Sequence, residues 1–293
     1  MFFFDRNTIK LLRIPFSFFL MPVYFLALSQ SDVIDDQTAW NALWVFIIIH
    51  LFIYPASNGY NSYQDQDEGS IGGIKNPPPA TKNLFWASLV LDCLGLLGSY
   101  FICYDFFIGI LLYVLVSRAY SWRKLRLKRF AIVGFLAVTI LQGFGIFVTS
   151  YAGINQLSFE DIFNSGLMFP ALGATFMIGG GYPITQIYQH EQDRADGVTT
   201  LSYRLGYRGT LIFAAVMFGI AGFTLYQYFS EMEFLFFQLF LAPVAIFFVR
   251  WFVKIWIDKS EANFENTMRM NIISSTCMNA CFVTLFIIDR LAI

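Results

Sequence analysis

Charge is what this chain of 293 residues has least of: Asp, Glu, Lys and Arg make up 13% of its positions, against roughly 25% in an average soluble domain. With 57% hydrophobic residues and a mean hydropathy of +0.59, that scarcity excludes a domain that folds in water. The formal net charge is -1 and the isoelectric point near 6.1, so there is no overall basic field and nucleic acid is not expected as a partner. Cysteine and histidine are also rare, four and two residues respectively. Cys93 and Cys103 stand alone, and Cys277 and Cys281 lie four apart within one apolar run. No C-x-x-C pair or Cys/His cluster has metal-ligand spacing, which excludes a zinc centre and a structural disulfide.

What the chain does have is long apolar runs. Stretches near the length a helix needs to cross hydrocarbon lie near 11–29, 39–57, 84–103, 105–118, 130–150, 166–188, 209–229, 233–253 and 270–289. The pattern predicts an all-α integral membrane protein of nine transmembrane helices forming a single polytopic domain over 1–293. The cut between the third and fourth runs falls around Cys103-Tyr104-Asp105. A cleaved signal peptide in the first run is disfavoured because Pro15 and Pro22 interrupt its apolar stretch.

Positive charge then orients these spans, since short cytoplasmic loops retain Lys and Arg. Arg6, Lys10 and Arg13 precede or open the first run; Lys75 and Lys82 follow the second; Arg118, Arg123, Lys124, Arg126, Lys128 and Arg129 follow the fourth. Arg194, Arg204 and Arg208 follow the sixth, and Lys254, Lys259 and Arg269 the eighth. The alternate connections near 30–38, 104, 151–165 and 230–233 contain neither residue. This predicts a multi-pass protein with a cytoplasmic N-terminus and a C-terminus on the far side, as in a bacterial inner membrane.

Two acidic stretches break the apolar pattern, and both fall on the predicted cytoplasmic side. Asn61-Ser-Tyr-Gln-Asp65-Gln-Asp67-Glu68-Gly69 follows the second run, and Tyr188-Gln189-His-Glu191-Gln-Asp193-Arg-Ala-Asp196-Gly197 follows the sixth. If the second helix continues past Asn61, then Asn61 and Asp65 stack one turn apart, with Glu68 a turn further and Asp67 displaced around the axis. Gln189 and Asp193 repeat that spacing, with Asp196 beyond and Glu191 to the side. Both clusters offer only oxygen ligands, which suits a hard cation such as Mg²⁺ with a phosphorylated substrate. Asp65 and Asp193 recur after four helices, so a four-plus-four pseudo-repeat with one added helix is expected, its acids facing each other across a central cavity open to the cytoplasmic face. The connection from 58 to 83 carries Gly69, Gly72 and Gly73 and then Lys75-Asn76-Pro77-Pro78-Pro79; its glycines permit close backbone approach to an anion. Polar residues inside the runs, His50, Asp92, Gln142 and Gln186, either line that cavity or join helices.

N-S-Y-Q-D-x-D-E-G and Y-Q-x-E-x-D-R-x-D-G-V-T-T-L-S-x-R-L-G resemble the two signature motifs of the UbiA family of intramembrane prenyltransferases. The opening K-L-L-R-I-P-F with Arg13, and A-Y-S-W-R-K-L-R-L-K-R with Tyr120, Arg126 and Lys128, resemble it further. The resemblance implies that Asn61, Asp65 and Asp193 bind an isoprenyl diphosphate through Mg²⁺, with Asp67, Glu68 and Gln189 as neighbouring ligands and Glu191 and Asp196 as further candidates. Two positions depart from the family pattern: Gly69 stands where an acid is expected in the first motif, and Gln189 where one is expected in the second. A diphosphate leaving group needs cations, for which Lys75, Arg126 and Lys128 are candidates, with Tyr120 and Arg13 beside them. Lys75 stands where the family usually has an arginine.

The implied activity is transfer of an isoprenyl chain from its diphosphate to a lipophilic acceptor within membrane lipid, with an aromatic quinone precursor the leading acceptor class. The 35 Phe, 15 Tyr, 6 Trp and 9 Met residues supply aromatic and soft surfaces to wall a lipid tunnel. A transporter that coordinates a coupling ion with these acids is the rival from another class, although such sites usually lie on broken helices at the membrane midplane. A phosphatidyl-alcohol phosphotransferase would need a D-G-x-x-A-R signature, which the chain lacks.

Overall fold

In the computed structural model the described residues are 4–31 and 35–291, so residues 32–34 of the first lysine-free connection lie outside them. The described residues are helical throughout and form no strand; one isolated bridge pairs Ile71 with Ile74. In chain order the helices are α1 Arg6–Leu11, α2 Met21–Ser29, α3 Asp36–Asp65, α4 Lys82–Tyr100, α5 Tyr104–Ser121, α6 Ala131–Asn155, α7 Phe159–Phe163, α8 Met168–Thr185, α9 His190–Ala195, α10 Leu201–Tyr226, α11 Glu231–Ile257 and α12 Phe264–Leu291. Single 3-10 turns span Ile14–Phe19 and Ile187–Gln189, and π turns interrupt α3 at Ile48–Ile53 and α6 at Ile140–Gly145.

Seven of these helices, α3 to α6 without a break in order and α10 to α12, are long and apolar enough to cross a membrane. The pair Arg6–Phe19 and Met21–Ser29, bent by 43°, makes an eighth where the two are counted as one broken span. The ninth expected span, α8, is 18 residues long but does not reach the same hydropathy, because Gly173, Gly179, Gly180, Gly181, Pro170 and Pro183 dilute its apolar content. Gly173, Gly179 and Gly180 instead permit close packing against α6 and α10. At Gly143 of α6 a Cβ would come within 2.4 Å of the Thr175 Cα of α8, so the two backbones touch in the way small residues allow within a bilayer.

The long helices pack in order, α3 to α6 and then α8, α10, α11 and α12, in a ring that closes where α2 packs between α12 and α6. The core, with Val45, Ile48, Phe106, Phe147 and Phe282 fully buried, lies inside the ring, while Phe101, Phe223, Leu239 and Ile257 face outward at 61–82% exposure. Such an outer surface is stable only against lipid.

Several polar groups within the bundle pair across helices. Tyr24 donates to the Ala42 carbonyl at 2.7 Å, and Asn155 joins α6 to Ser31 at 3.1 Å. The bend before α2 frees the Phe18 and Phe19 carbonyls, which accept from Asn279 and Ser275 of α12, each at 3.4 Å. Asp92 of α4 is paired with Arg118 of α5, whose guanidinium also lies 4.0 Å from the Tyr60 ring centroid. His50 binds the Phe46 carbonyl of its own helix at 3.1 Å. Of the in-helix polar residues singled out in the sequence, Asp92 therefore joins two helices, His50 bonds within its own, and Gln142 and Gln186 line the central cavity.

Candidate active site

The inner face of α3 below its π turn carries Ser57, Asn58, Asn61 and Asp65, all of which line a cavity of about 670 Å³. Asn61 Nδ2 donates to Asp65 Oδ2 at 2.8 Å, the one-turn stacking that the spacing predicts, and Asn61 Oδ1 accepts from Ser121 of α5 at 3.2 Å. The helix then stops. Gln66 adopts a left-handed conformation with φ 56° and its N–H closes on the Ser62 carbonyl at 3.1 Å. The carbonyls left open at this end accept from Arg123, whose Nη2 lies 3.2 Å from the Asp65 carbonyl, a helix C-terminus neutralised by a cation.

This ending corrects the expected placement of Glu68. It does not stack a turn beyond Asp65, because the chain has left the helix; it is exposed and outside the cavity lining. Asp67 instead lines the cavity and accepts from Gln192 Nε2 at 2.5 Å. The loop folds back at Gly73, where φ is 82°, and carries Lys75 outward to an exposed pair with Glu265 of α12. Lys75 thus lies away from the acids.

The second stretch is built differently. α8 ends at Thr185, one 3-10 turn follows, and α9 carries Asp193, with Asp196 at its C-cap. Gln189, Gln192, Asp193 and Asp196 all line the cavity, whereas Glu191 points away and is exposed. Asp193 Oδ2 accepts from Thr200 Oγ1 at 3.0 Å. Thr200 also caps α10 through Tyr203 N–H, so the second motif is tied to the start of the next helix.

Cations reach these acids from the α5–α6 connection. Lys128 Nζ is hydrogen-bonded to Asp65 Oδ2, and Arg126 Nη2 bridges Asp196 at 2.7 Å and Asp65 Oδ1 at 3.6 Å. The other positive residues of that cluster have separate partners: Lys124 and Arg129 lie over Trp122 and Phe130, and Arg118 and Arg123 are engaged as described. Arg13 enters from the first span, donating to the Asn58 carbonyl at 3.2 Å. Arg13, Gln66 and Arg126 have φ of 50°, 56° and 44°, and with Gln156 they are the non-glycine residues at positive φ among the described residues. Backbone strain of this kind collects at functional sites.

Burial pushes the Asp67 carboxyl up to about 6, with the Asp65 charge adding to the effect and Lys128 and Arg13 opposing it. Burial raises Asp193 to about 6 as well, against the Thr200 hydrogen bond and the Lys128 charge. Asp65 Oδ1 is buried and has no hydrogen-bond partner. Crowded carboxylates with a free inner lone pair and only oxygen donors around them fit a hard divalent cation. Among the described residues no three of Asp, Glu, His and Cys are already gathered at ligand distance; in this arrangement the Lys128 ammonium holds the acids' charge.

A second layer of the wall holds Tyr120 and Gln186, both singled out in the sequence, and Tyr182, which sequence reasoning missed. Tyr120 and Tyr182 share a hydroxyl–hydroxyl hydrogen bond, and Gln186 Nε2 donates to Tyr182 at 2.9 Å. Tyr182 lies outside both motifs and Gln192 at an unspecified position of the second, while Thr200 stands within V-T-T-L-S; the contacts of all three depend on which helices meet. Beyond the tyrosines the lining turns apolar, through Leu20, Leu141, Met177, Phe237, Val244 and Met278. Charged groups therefore collect at one end of the cavity and apolar ones along the rest.

Solved structures with the same fold include a UbiA homologue from Archaeoglobus fulgidus bound to DMAPP and Mg²⁺, 16% identical with a TM-score of 0.69, covering 96% of this chain and 99% of that one. An apo UbiA homologue from Aeropyrum pernix K1 is also 16% identical, with a TM-score of 0.66 over 93% of this chain and 98% of that one. A structure described for digeranylgeranylglyceryl phosphate synthase in membranes is 18% identical, with a TM-score of 0.59 over 96% and 97% of the two chains. No curated protein sequence matches the chain. The profile of the UbiA prenyltransferase family matches residues 18–273. That match runs from the broken first span into α12 and takes in both acidic stretches, and by it the chain belongs to the UbiA prenyltransferase family, as a membrane prenyltransferase.

Proposed function

We propose that this prenyltransferase moves an isoprenyl chain from its diphosphate to a lipophilic acceptor with Mg²⁺, an aromatic quinone precursor being the acceptor class to test first. One observation carries the reading: Asp65, paired with Lys128, shares with Asp67 and Asp193 the lining of a cavity whose remaining wall is mostly apolar. The similar Archaeoglobus structures hold DMAPP or GPP with Mg²⁺, which supports the same pairing here. Nine spans, with α8 the ninth, and a charged end facing the cytoplasm accord with the placement of Lys and Arg. The four-plus-four repeat remains part of this reading. An ion-coupled transporter is set aside by the family assignment.

In this reading Asp65, Asp67 and Asp193, with Asn61 and Gln189 as neutral oxygen donors, hold the cation, and Asp196 stands behind them. When bound, Mg²⁺ neutralises a diphosphate and lowers the cost of its departure. Lys128 then faces the same leaving group, and Arg126 and Arg13 add positive charge around it. As the carbon–oxygen bond breaks, its electron pair goes to the diphosphate, the acceptor supplies a new pair to the allylic carbon, and the proton the acceptor then loses leaves with the diphosphate. Tyr120 and Tyr182, fixed by their mutual hydrogen bond, put aromatic surface in the wall where that carbon passes. The apolar lining keeps water from the carbon.

Gln186 Oε1 and Asn271 Nδ2 are buried and unpartnered, and both residues line the cavity. One acceptor and one donor suit a neutral hydroxyl-bearing head group. Glu68, Glu191 and Lys75 are given no role. Asp65→Asn and Asp193→Asn test the assignment: each should cut turnover by about a hundredfold or more, as loss of an electrostatic catalytic group does, with folded protein retained. Near-normal turnover in both refutes it.

A further inference from the structure

Two glutamines join the acidic stretches to each other. Gln189 Nε2 donates to the Ser70 carbonyl at 3.1 Å, and Gln192 Nε2 donates to Asp67 Oδ1 at 2.5 Å. The other amide atom of Gln192, Oε1, lies over Gly69, where an added Cβ would stand 2.7 Å from it. The seat is therefore open only because position 69 has no side chain.

An amide is the group these contacts need. A carboxylate at 189 has no proton to give to the Ser70 carbonyl, and one at 192 has none to give to Asp67 and would repel it. The two positions at which this chain departs from its family's acidic pattern, Gly69 and Gln189, thus belong to one contact between loops.

The latch acts on the one acid whose direction the helix does not set. Asp65 is held by α3 and Asp193 by α9, but Asp67 follows the left-handed Gln66 and lies on a loop. Its neighbour Glu68, with no such contact, is exposed and outside the cavity. We propose that Gln189 and Gln192 are positioning residues that fasten the 66–70 loop to the second motif and so turn Asp67 into the carboxylate that completes the cation and diphosphate site. The inference rests on the proposed function, which supplies the cation. Gln192 occupies one oxygen of Asp67, and the other serves the ligand.

Mn²⁺ binding to the full chain in detergent, read by electron paramagnetic resonance without substrate, tests this separately from turnover. Wild type and Asp65→Asn come first. Absence of Mn²⁺ binding in wild type, or undiminished binding in Asp65→Asn, overturns the proposed function and this inference with it. With that control passed, Gln192→Ala and Gly69→Ala decide the latch.

Gly69 is not at positive φ, and its Cβ would meet only the end of a flexible side chain, so Gly69→Ala displaces Gln192 and spares the fold. Each variant should weaken Mn²⁺ binding about tenfold, and the double variant no further, because both break one contact. In turnover the KM for an isoprenyl diphosphate should rise in parallel, while kcat at saturating metal stays within about threefold. Wild-type Mn²⁺ affinity in both single variants, or a double variant weakened by the product of the two, contradicts the latch.

Discussion

Lys128→Met removes the cation around which the acids gather, and its effect should depend on metal in a particular way. The Lys128 side chain is 14% exposed and that of its partner Asp65 only 2%. Breaking a buried ion pair by deleting one partner costs about 3–5 kcal/mol. Asp65 here retains the Asn61 hydrogen bond at 2.8 Å and Arg126 at 3.6 Å, so the loss in metal-free protein should sit near the lower end, about 3 kcal/mol. On the soluble-protein scale that corresponds to roughly 6–12 °C in Tm.

Saturating Mg²⁺ stabilises both proteins and narrows the gap only as far as the variant binds it more tightly; carboxylates freed from Lys128 that bind about a hundredfold tighter recover about 2.7 kcal/mol. Turnover should nonetheless remain down by about a hundredfold, because the group facing the departing diphosphate is gone. The assay is thermal unfolding in detergent with EDTA and with Mg²⁺, beside a turnover measurement. A Tm deficit that Mg²⁺ leaves untouched would refute the reasoning, since Lys128 would then be a structural partner of Asp65 alone.

Acidity gives a second prediction. Asp67 and Asp193 are raised from 3.8 to about 6, so in the metal-free protein their contribution is fully present below about pH 4 and is lost as pH rises through 6. Metal-free Tm should fall across that window and Mg²⁺ should reverse the fall; the Mg²⁺ concentration for half-saturation should rise about tenfold or more from pH 6 to 5. A Tm and metal affinity that are flat with pH would contradict the burial of these acids. Asp92→Ala should cost about 3 kcal/mol by stranding Arg118 within the bundle, and Arg118→Met in the same chain should recover most of it; thermal unfolding of the single and double variants decides. Lys75→Ala should leave turnover within about twofold of wild type, since its pair with Glu265 is exposed and such pairs contribute at most about 1 kcal/mol. A hundredfold loss would return Lys75 to the site.

Periodicity made the membrane class and most helix positions legible, and the i, i+4 spacing placed Asn61 against Asp65 because that relation is local. Glu68 was misplaced because α3 ends on Gln66, a residue type that gives no sign of a left-handed turn; Gly69 marks the ending only three residues late. The sixth apolar run reads on to 188, yet α8 stops at Thr185, two residues after Pro183, and the second motif is rebuilt as a 3-10 turn and a separate short helix. Lys75 lies close in sequence to the acids but is carried off by the turn at Gly73. The first run hides a 43° bend, although Pro15 and Pro22 flank it. Tyr182 and Gln192 acquire their roles only from neighbours 62 and 125 residues away, a separation no single-sequence pattern registers.

The measurement closest to the central claim is pyrophosphate release from allylic diphosphates by the purified protein in detergent, with lipid extract as acceptor source, comparing wild type with Asp65→Asn. The account predicts release that requires Mg²⁺, extract and Asp65 together. Folded wild-type protein that releases no pyrophosphate from any allylic diphosphate, or release that persists unchanged in Asp65→Asn, would contradict it.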